Sequence, residues 1–253
     1  MKRTLLSLLA AAAPLIHLPG LAATGAAAEV PGKPNILVIM GDDIGWMNVS
    51  SYGSDIMGVA TPNIDRIGRE GLRLGAFYAQ PSCTAGRAAF ITGQLPVRTG
   101  LTTVGTPGSP AGLKAEDITL AEILKTKGYA TAQFGKNHLG DLDEHLPCRH
   151  GFDDFWGNLY HLNANEDLED PDRPTNPEFL AKFNPRGIVS CTAGGRATDE
   201  GPLTIERMKT FDDEVTAKSV AFLERRAQDG KPFFLWHNST RQHVFIHLKP
   251  ESR

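Results

Sequence analysis

The chain has 253 residues, with 26 Lys and Arg against 29 Asp and Glu, for a net charge of −3. That length can bury a sizeable core in one or two domains. No basic stripe marks a nucleic-acid surface, and an anionic ligand would have to be captured by local cations rather than by the overall field.

Lys2 and Arg3, the apolar run from Leu5 to Leu18 and the triplet Ala26-Ala27-Ala28 read as a secretory signal peptide over residues 1–28. Pro14 and Pro19 break the run and argue against a membrane anchor. The expectation is an exported protein, periplasmic or extracellular, with no stable membrane insertion after cleavage. Residues 29–34 form a linker, and residues 35–253 are the globular part.

Asn35 opens a continuous apolar run to Met40, the pattern of a strand buried on both faces of a parallel sheet. It breaks at Gly41-Asp42-Asp43-Ile44-Gly45. Thr61-Pro62 starts a helix that reaches Glu70 and stops at Gly71. Leu72 to Tyr78 reads as the next strand, leading into Pro81-Ser82-Cys83-Thr84-Ala85-Gly86-Arg87 and a helix that begins near Thr84. Residues 100–112 form a surface loop. Thr119 and Glu122 make a capping box for a helix over Leu120 to Lys127, ended by Gly128. Tyr129 to Phe134 reads as a strand that breaks into Gly135-Lys136-Asn137-His138-Leu139-Gly140. Residues 144–202 are polar and rich in Pro and Gly, and read as long loops over the active face. A helix over 205–228 carries Met208, Phe211, Val215 and Phe222 as its apolar stripe. A strand from Phe233 to His237 follows, and helices alternating with apolar strands imply an α/β fold with a mainly parallel sheet.

Each reactive group has an ordinary reading of its own. Cys83 suits a small buried hydrophobe, the Asp42-Asp43 pair suits a solvated turn, and Lys136, His138 and His243 suit surface positions. Their placement favours chemistry instead, since each follows a strand, and open α/β sheets bind ligands outside the carboxyl ends of their strands. Cys83 sits at a helix N-terminus, where free N–H groups favour negative charge, and Arg87 returns one turn later as a fixed cation. Asp42 and Asp43 offer two hard oxygen donors to Ca²⁺ or Mg²⁺.

Three stretches then resemble the sulfatases. Cys83-x-Ala85-x-Arg87 with Thr92-Gly93 is similar to their cysteine signature, Asn35 to Asp43 to their opening, an apolar strand followed by Asp-Asp-x-Gly, and Gly135-Lys136-x-His138-Leu139-Gly140 to a second signature. The stretch Trp236 to Pro250 resembles bacterial arylsulfatases around a substrate-binding histidine, His243. The resemblance implies an alkaline-phosphatase-like sandwich whose central, mainly parallel sheet is flanked by helices and incomplete on its C-terminal side. It implies hydrolysis of sulfate esters, either small molecules or sulfated glycans, by a formylglycine made from Cys83 by a formylglycine-generating enzyme. Asp42, Asp43 and the modified Cys83 would hold Ca²⁺, alternatively Mg²⁺. Arg87 and Lys136 would hold sulfate, His138 would orient the formylglycine hydroxyls, and His243 would protonate the leaving oxygen. With Cys83 reserved for modification, Cys148 and Cys191 are left to pair. Family members are longer and carry an Asp-Asn pair and a further lysine beyond this region, so the expectation is the N-terminal portion of a catalytic domain. A phosphonate monoester hydrolase or phosphodiesterase of the same superfamily is the alternative, as is an inactive fragment.

Overall fold

The computed structural model describes residues 32–53 and 56–252. The signal-peptide reading and residues 29–31 of the linker lie outside the described residues. Among the described residues no helix is long and apolar enough to cross a membrane.

Six strands form one sheet: β1 (Ile36–Met40), β2 (Ala130–Gly135), β3 (Asp154–Gly157), β4 (Val189–Thr192), β5 (Thr198–Asp199) and β6 (Phe233–Asn238). Their order is β1-β6-β2-β3-β4-β5. The first four in that order run parallel, and β4 and β5 continue antiparallel. The mainly parallel sheet flanked by helices is as expected.

Side-chain alternation along each strand sorts the core onto two faces. On one, Ala132, Phe134, Trp156 and Leu235 pack against Met208, Phe211, Val215 and Phe222. On the other, Phe234 and Trp236 meet Ala88 and Ile91 of the cysteine helix, Ala121 of the Leu120–Thr126 helix, and Phe152. A third cluster gathers Leu146, Phe155, Leu159 and Tyr160 around the disulfide between Cys148 and Cys191.

Four expectations are corrected. Residues 72–78 form no strand, because no neighbouring backbone among the described residues takes their N–H and C=O groups; Leu72 is 78% and Tyr78 91% exposed. β1 is buried on one face only: Ile36, Val38 and Met40 pack inward, while Leu37 and Ile39 point to the face where the long Phe211–Asp229 helix covers β2, β3 and β6 but not β1. The helix expected over 205–228 is broken into Ile205–Met208 and Phe211–Asp229. The break falls where Asp212, Asp213 and Glu214 suit the positive end of a new helix. Finally, residues 144–202 hold β3, β4, β5 and several short helices rather than loops alone. Phe155 and Trp156 belong to β3, while Asp153 accepts a hydrogen bond from Thr131 N and pairs with Lys125.

Candidate active site

The carboxyl ends of β1, β6 and β2 lie side by side, with Met40 and Gly135 both in register with Asn238. The chain leaving β1 is tied to the chain leaving β6: Asp42 N donates to Arg241 O at 3.1 Å and Gln242 N donates to Asp42 O at 2.7 Å. Lys136 N, just beyond β2, donates to Asn238 O at 3.1 Å. Backbone pairing thus delivers Asp42, Lys136 and the Arg241–His243 segment to one edge.

Gly135 is required for that approach. Its φ is +96°, and a Cβ there would stand 1.9 Å from Asn238 O. Gly140 likewise has φ +107°, with a Cβ position 2.4 Å from His145 Nδ1. The two glycines flanking Lys136 and His138 therefore let backbone meet other parts of the protein closely.

The cysteine helix runs from Cys83 to Thr92. Ser82 caps it, its side chain accepting from Ala85 N at 3.2 Å, and Gly93 closes it in a left-handed conformation. One turn in, Arg87 is 2% exposed, with its Nη2 3.5 Å from Asp42 Oδ1 and its Nη1 donating to Lys136 O at 2.9 Å. Lys136, fully buried, donates to Asp42 Oδ2 at 2.6 Å. Burial raises the Asp42 pKa, and the charges of Lys136 and Arg87 outweigh it, so the carboxyl sits below its usual range. Burial pulls Lys136 below the usual lysine range, assisted by Arg87 and opposed by Asp42.

Cys83 is a free thiol. It lines a cleft of about 520 Å³ together with Asp42, Asp43, Arg87, Tyr78 and Phe90. Asp43 adopts φ +56°, with its side chain largely in solvent. His138 also has a positive φ, +57°, and its Nε2 meets Gly105 O at 2.9 Å. Because burial, then Lys136, lowers its pKa to about 3, the ring is neutral and the Nε2 proton goes to that carbonyl. Nδ1 is left buried as an unpartnered acceptor. Gly105 N in turn donates to Thr84 Oγ1 at 3.0 Å, so a residue of the expected surface loop bridges His138 to the neighbour of Cys83.

His243 joins the site through two contacts: its Nε2 is 3.4 Å from Asp43 Oδ2, and its ring stacks on His161 with centroids 3.5 Å apart. His161 is buried, and its Nε2 lies 3.8 Å from Asp42 Oδ2. Burial, then the positive charge of Lys136, lowers its pKa to about 4. The sequence reading passed over His161 because it passed over β3. His161 follows β3 as His138 follows β2, so the strand-end rule would have found it once that four-residue strand was recognised. Lys249, in the same stretch as His243, pairs with Asp213 at 2.6 Å.

The arrangement brings together two carboxylates, two buried cations, a thiol at a helix N-terminus and three imidazoles, a set suited to holding a tetrahedral oxyanion beside a divalent ion. The Sulfatase family model matches residues 34–251. N-acetylgalactosamine-6-sulfatase from Sus scrofa is 32% identical over 231 residues, covering 86% of this chain and 40% of that protein. Arylsulfatase A from Bos taurus is 37% identical over 231 residues, covering 87% and 43%. The crystal structure of PsFucS1 sulfatase from Pseudoalteromonas sp. superposes with a TM-score of 0.77 at 34% identity, covering 87% of this chain and 46% of that one. The chain therefore spans less than half the length of these relatives. With the family model running the length of the globular part and the strand-end cluster in place, the chain belongs to the sulfatase family.

Proposed function

We propose that this chain supplies the nucleophile side of a sulfuric ester hydrolase, exported from the cell, that acts on arylsulfate-like small molecules or sulfated glycans. The observation that carries the reading is the convergence of Asp42, Arg87 and Lys136 in one buried cluster beside the cleft lined by Cys83. The names of the relatives, arylsulfatase A and N-acetylgalactosamine-6-sulfatase, support an ester of a phenol or of a sugar.

Oxidised to formylglycine by a formylglycine-generating enzyme, residue 83 would supply, as its hydrate, one hydroxyl to attack sulfur and a second to expel sulfate. Asp42 and Asp43 would hold Ca²⁺, alternatively Mg²⁺, beside residue 83, where the ion offsets negative charge on the sulfate oxygens. The two carboxylates fit a hard ion as anchors. Ca²⁺ takes about six to eight oxygens, so water and substrate would add to its shell.

The remaining work falls to this chain's own side chains. Arg87 and Lys136, already desolvated, present fixed positive charge to the sulfate oxygens without reorganising. His138 has a free Nδ1 lone pair with which to take a proton from the hydroxyl at residue 83. His243, partly exposed and stacked on His161, would protonate the departing alcohol oxygen.

The test is a peptide map of residue 83 in protein made alongside a formylglycine-generating enzyme, paired with hydrolysis of an aryl sulfate and an aryl phosphonate. An aldehyde at residue 83 with preference for the sulfate is expected. An unmodified thiol with no hydrolysis would refute the reading, and preference for the phosphonate would move it to the phosphonate monoester hydrolases.

A further inference from the structure

Two imidazoles stand in the site with their nitrogens arranged in a way that proton transfer alone does not require. His161 Nε2 is buried and has no hydrogen-bond partner, although it faces Asp42 Oδ2 at 3.8 Å. One ligand atom from each of Asp42, His161 and His243 lies within 4.8 Å of the others. Asp43 Oδ2 stands outside this trio, 3.4 Å from His243 Nε2, and would join as a fourth donor by a turn of its exposed side chain.

The far side of each ring is also informative. His161 Nδ1 lies 3.3 Å from Asn163 Oδ1, and His243 Nδ1 lies 2.7 Å from Val244 O. At His243 the carbonyl takes the Nδ1 proton and turns the Nε2 lone pair toward Asp43, which is how metal-binding histidines are usually oriented. His161 Nδ1 also meets Asn163 N at 3.5 Å, so that ring adopts the metal-binding tautomer when an ion takes its Nε2 lone pair.

Charge decides which ion such a set would choose. Lys136 and Arg87 already balance the two aspartates, so an arriving dication gains little from net charge and must be held by donor chemistry. Ca²⁺ and Mg²⁺ prefer oxygen and gain little from imidazole. Two imidazoles and two carboxylates, four donors in all, suit tetrahedral Zn²⁺.

We propose that Asp42, Asp43, His161 and His243 form a Zn²⁺ site that shares its two aspartates with the hard-ion site and draws His243 away from the leaving oxygen. Zinc bound there is an inhibitor. That consequence rests on the sulfatase reading, whereas the site itself does not, since its donors are present whatever the state of residue 83.

The experiment is calorimetric titration of the purified chain with ZnCl₂, alongside absorption spectra with Co²⁺ as a coloured substitute. One ion per chain is expected, with visible tetrahedral Co²⁺ bands and no near-ultraviolet thiolate band. His161→Ala and His243→Ala should each weaken Zn²⁺ by at least about tenfold, the scale at which even outer-shell partners act. His243 is partly exposed, so its variant keeps the test open if the buried His161 variant does not fold. Binding unchanged in His243→Ala, or a thiolate band that places the ion on Cys83, would overturn the site. Either result leaves the sulfatase reading standing, because ester hydrolysis is measured separately.

Discussion

Lys136 Nζ lies 2.6 Å from Asp42 Oδ2, and the two residues come from the ends of β2 and β1, strands separated in the sheet by β6. Neither side chain has meaningful contact with water. The pair locks two crossovers of the fold together and holds one cation beside the cleft.

Removing one member of such a pair strands the other. Lys136→Ala should destabilise the chain by about 3 kcal/mol, toward the lower end for buried pairs because Arg87 stays near Asp42. Adding Asp42→Asn should recover part of that loss. Urea denaturation of the two single variants and the double variant measures the coupling, and strictly additive losses would mean that the pair is not desolvated as described.

Acid should weaken the fold well before carboxylates titrate. His138 and His161 are held at about 3 and about 4 in the folded chain, against 6.5 for a free imidazole, chiefly by burial. Burial also lowers His145, His150 and His237. Their folded values lie below their unfolded ones, so the unfolded chain binds more protons. The stability is therefore complete above pH 6.5 and is lost as pH falls from there through the folded values. Denaturation midpoints measured from pH 7.5 down to pH 4.5 should fall steadily, and His138→Gln should flatten the slope. A midpoint independent of pH across that window would contradict the burial of these rings.

Cys83→Ala should abolish ester hydrolysis and change stability by no more than about 1 kcal/mol, because the thiol lines a cleft rather than filling the core. Hydrolysis assays on the purified protein, with far-ultraviolet dichroism as the folding control, decide it. Wild-type rates in the variant would remove residue 83 from the chemistry.

Cys148 and Cys191 close a loop of 43 residues. Chain entropy gives such a cross-link about 4 kcal/mol, within the roughly 2–5 kcal/mol typical of native disulfides. Replacing both by Ala should lower the denaturation midpoint accordingly, and reductant should then have no further effect. A midpoint unchanged in the variant would mean that the third core cluster holds without the bond.

Much of the site was legible because its signals are local. A helix stop at Gly71, the Ser82-capped cysteine helix, the Thr119–Glu122 capping box and the glycines around Lys136 and His138 each depend on a few adjacent residues. The strand-end rule then placed Asp42, Lys136, His138 and His243 on one edge from the order of elements alone. The Leu72–Tyr78 run misled because β propensity describes what a segment tolerates, while a strand exists only if another backbone pairs with it.

What the sequence alone determined is the α/β order, the long-helix stripe and the residue types at the strand ends. Only the tertiary structure decided that Lys136 and Arg87 both turn to Asp42, that Gly105 couples His138 to Thr84, and that His161 stacks on His243. The reason is separation along the chain. These partners lie 94, 45, 33, 21 and 82 residues apart, spacings given by their residue numbers, and no local periodicity records which distant groups will share a buried volume once the sheet has closed.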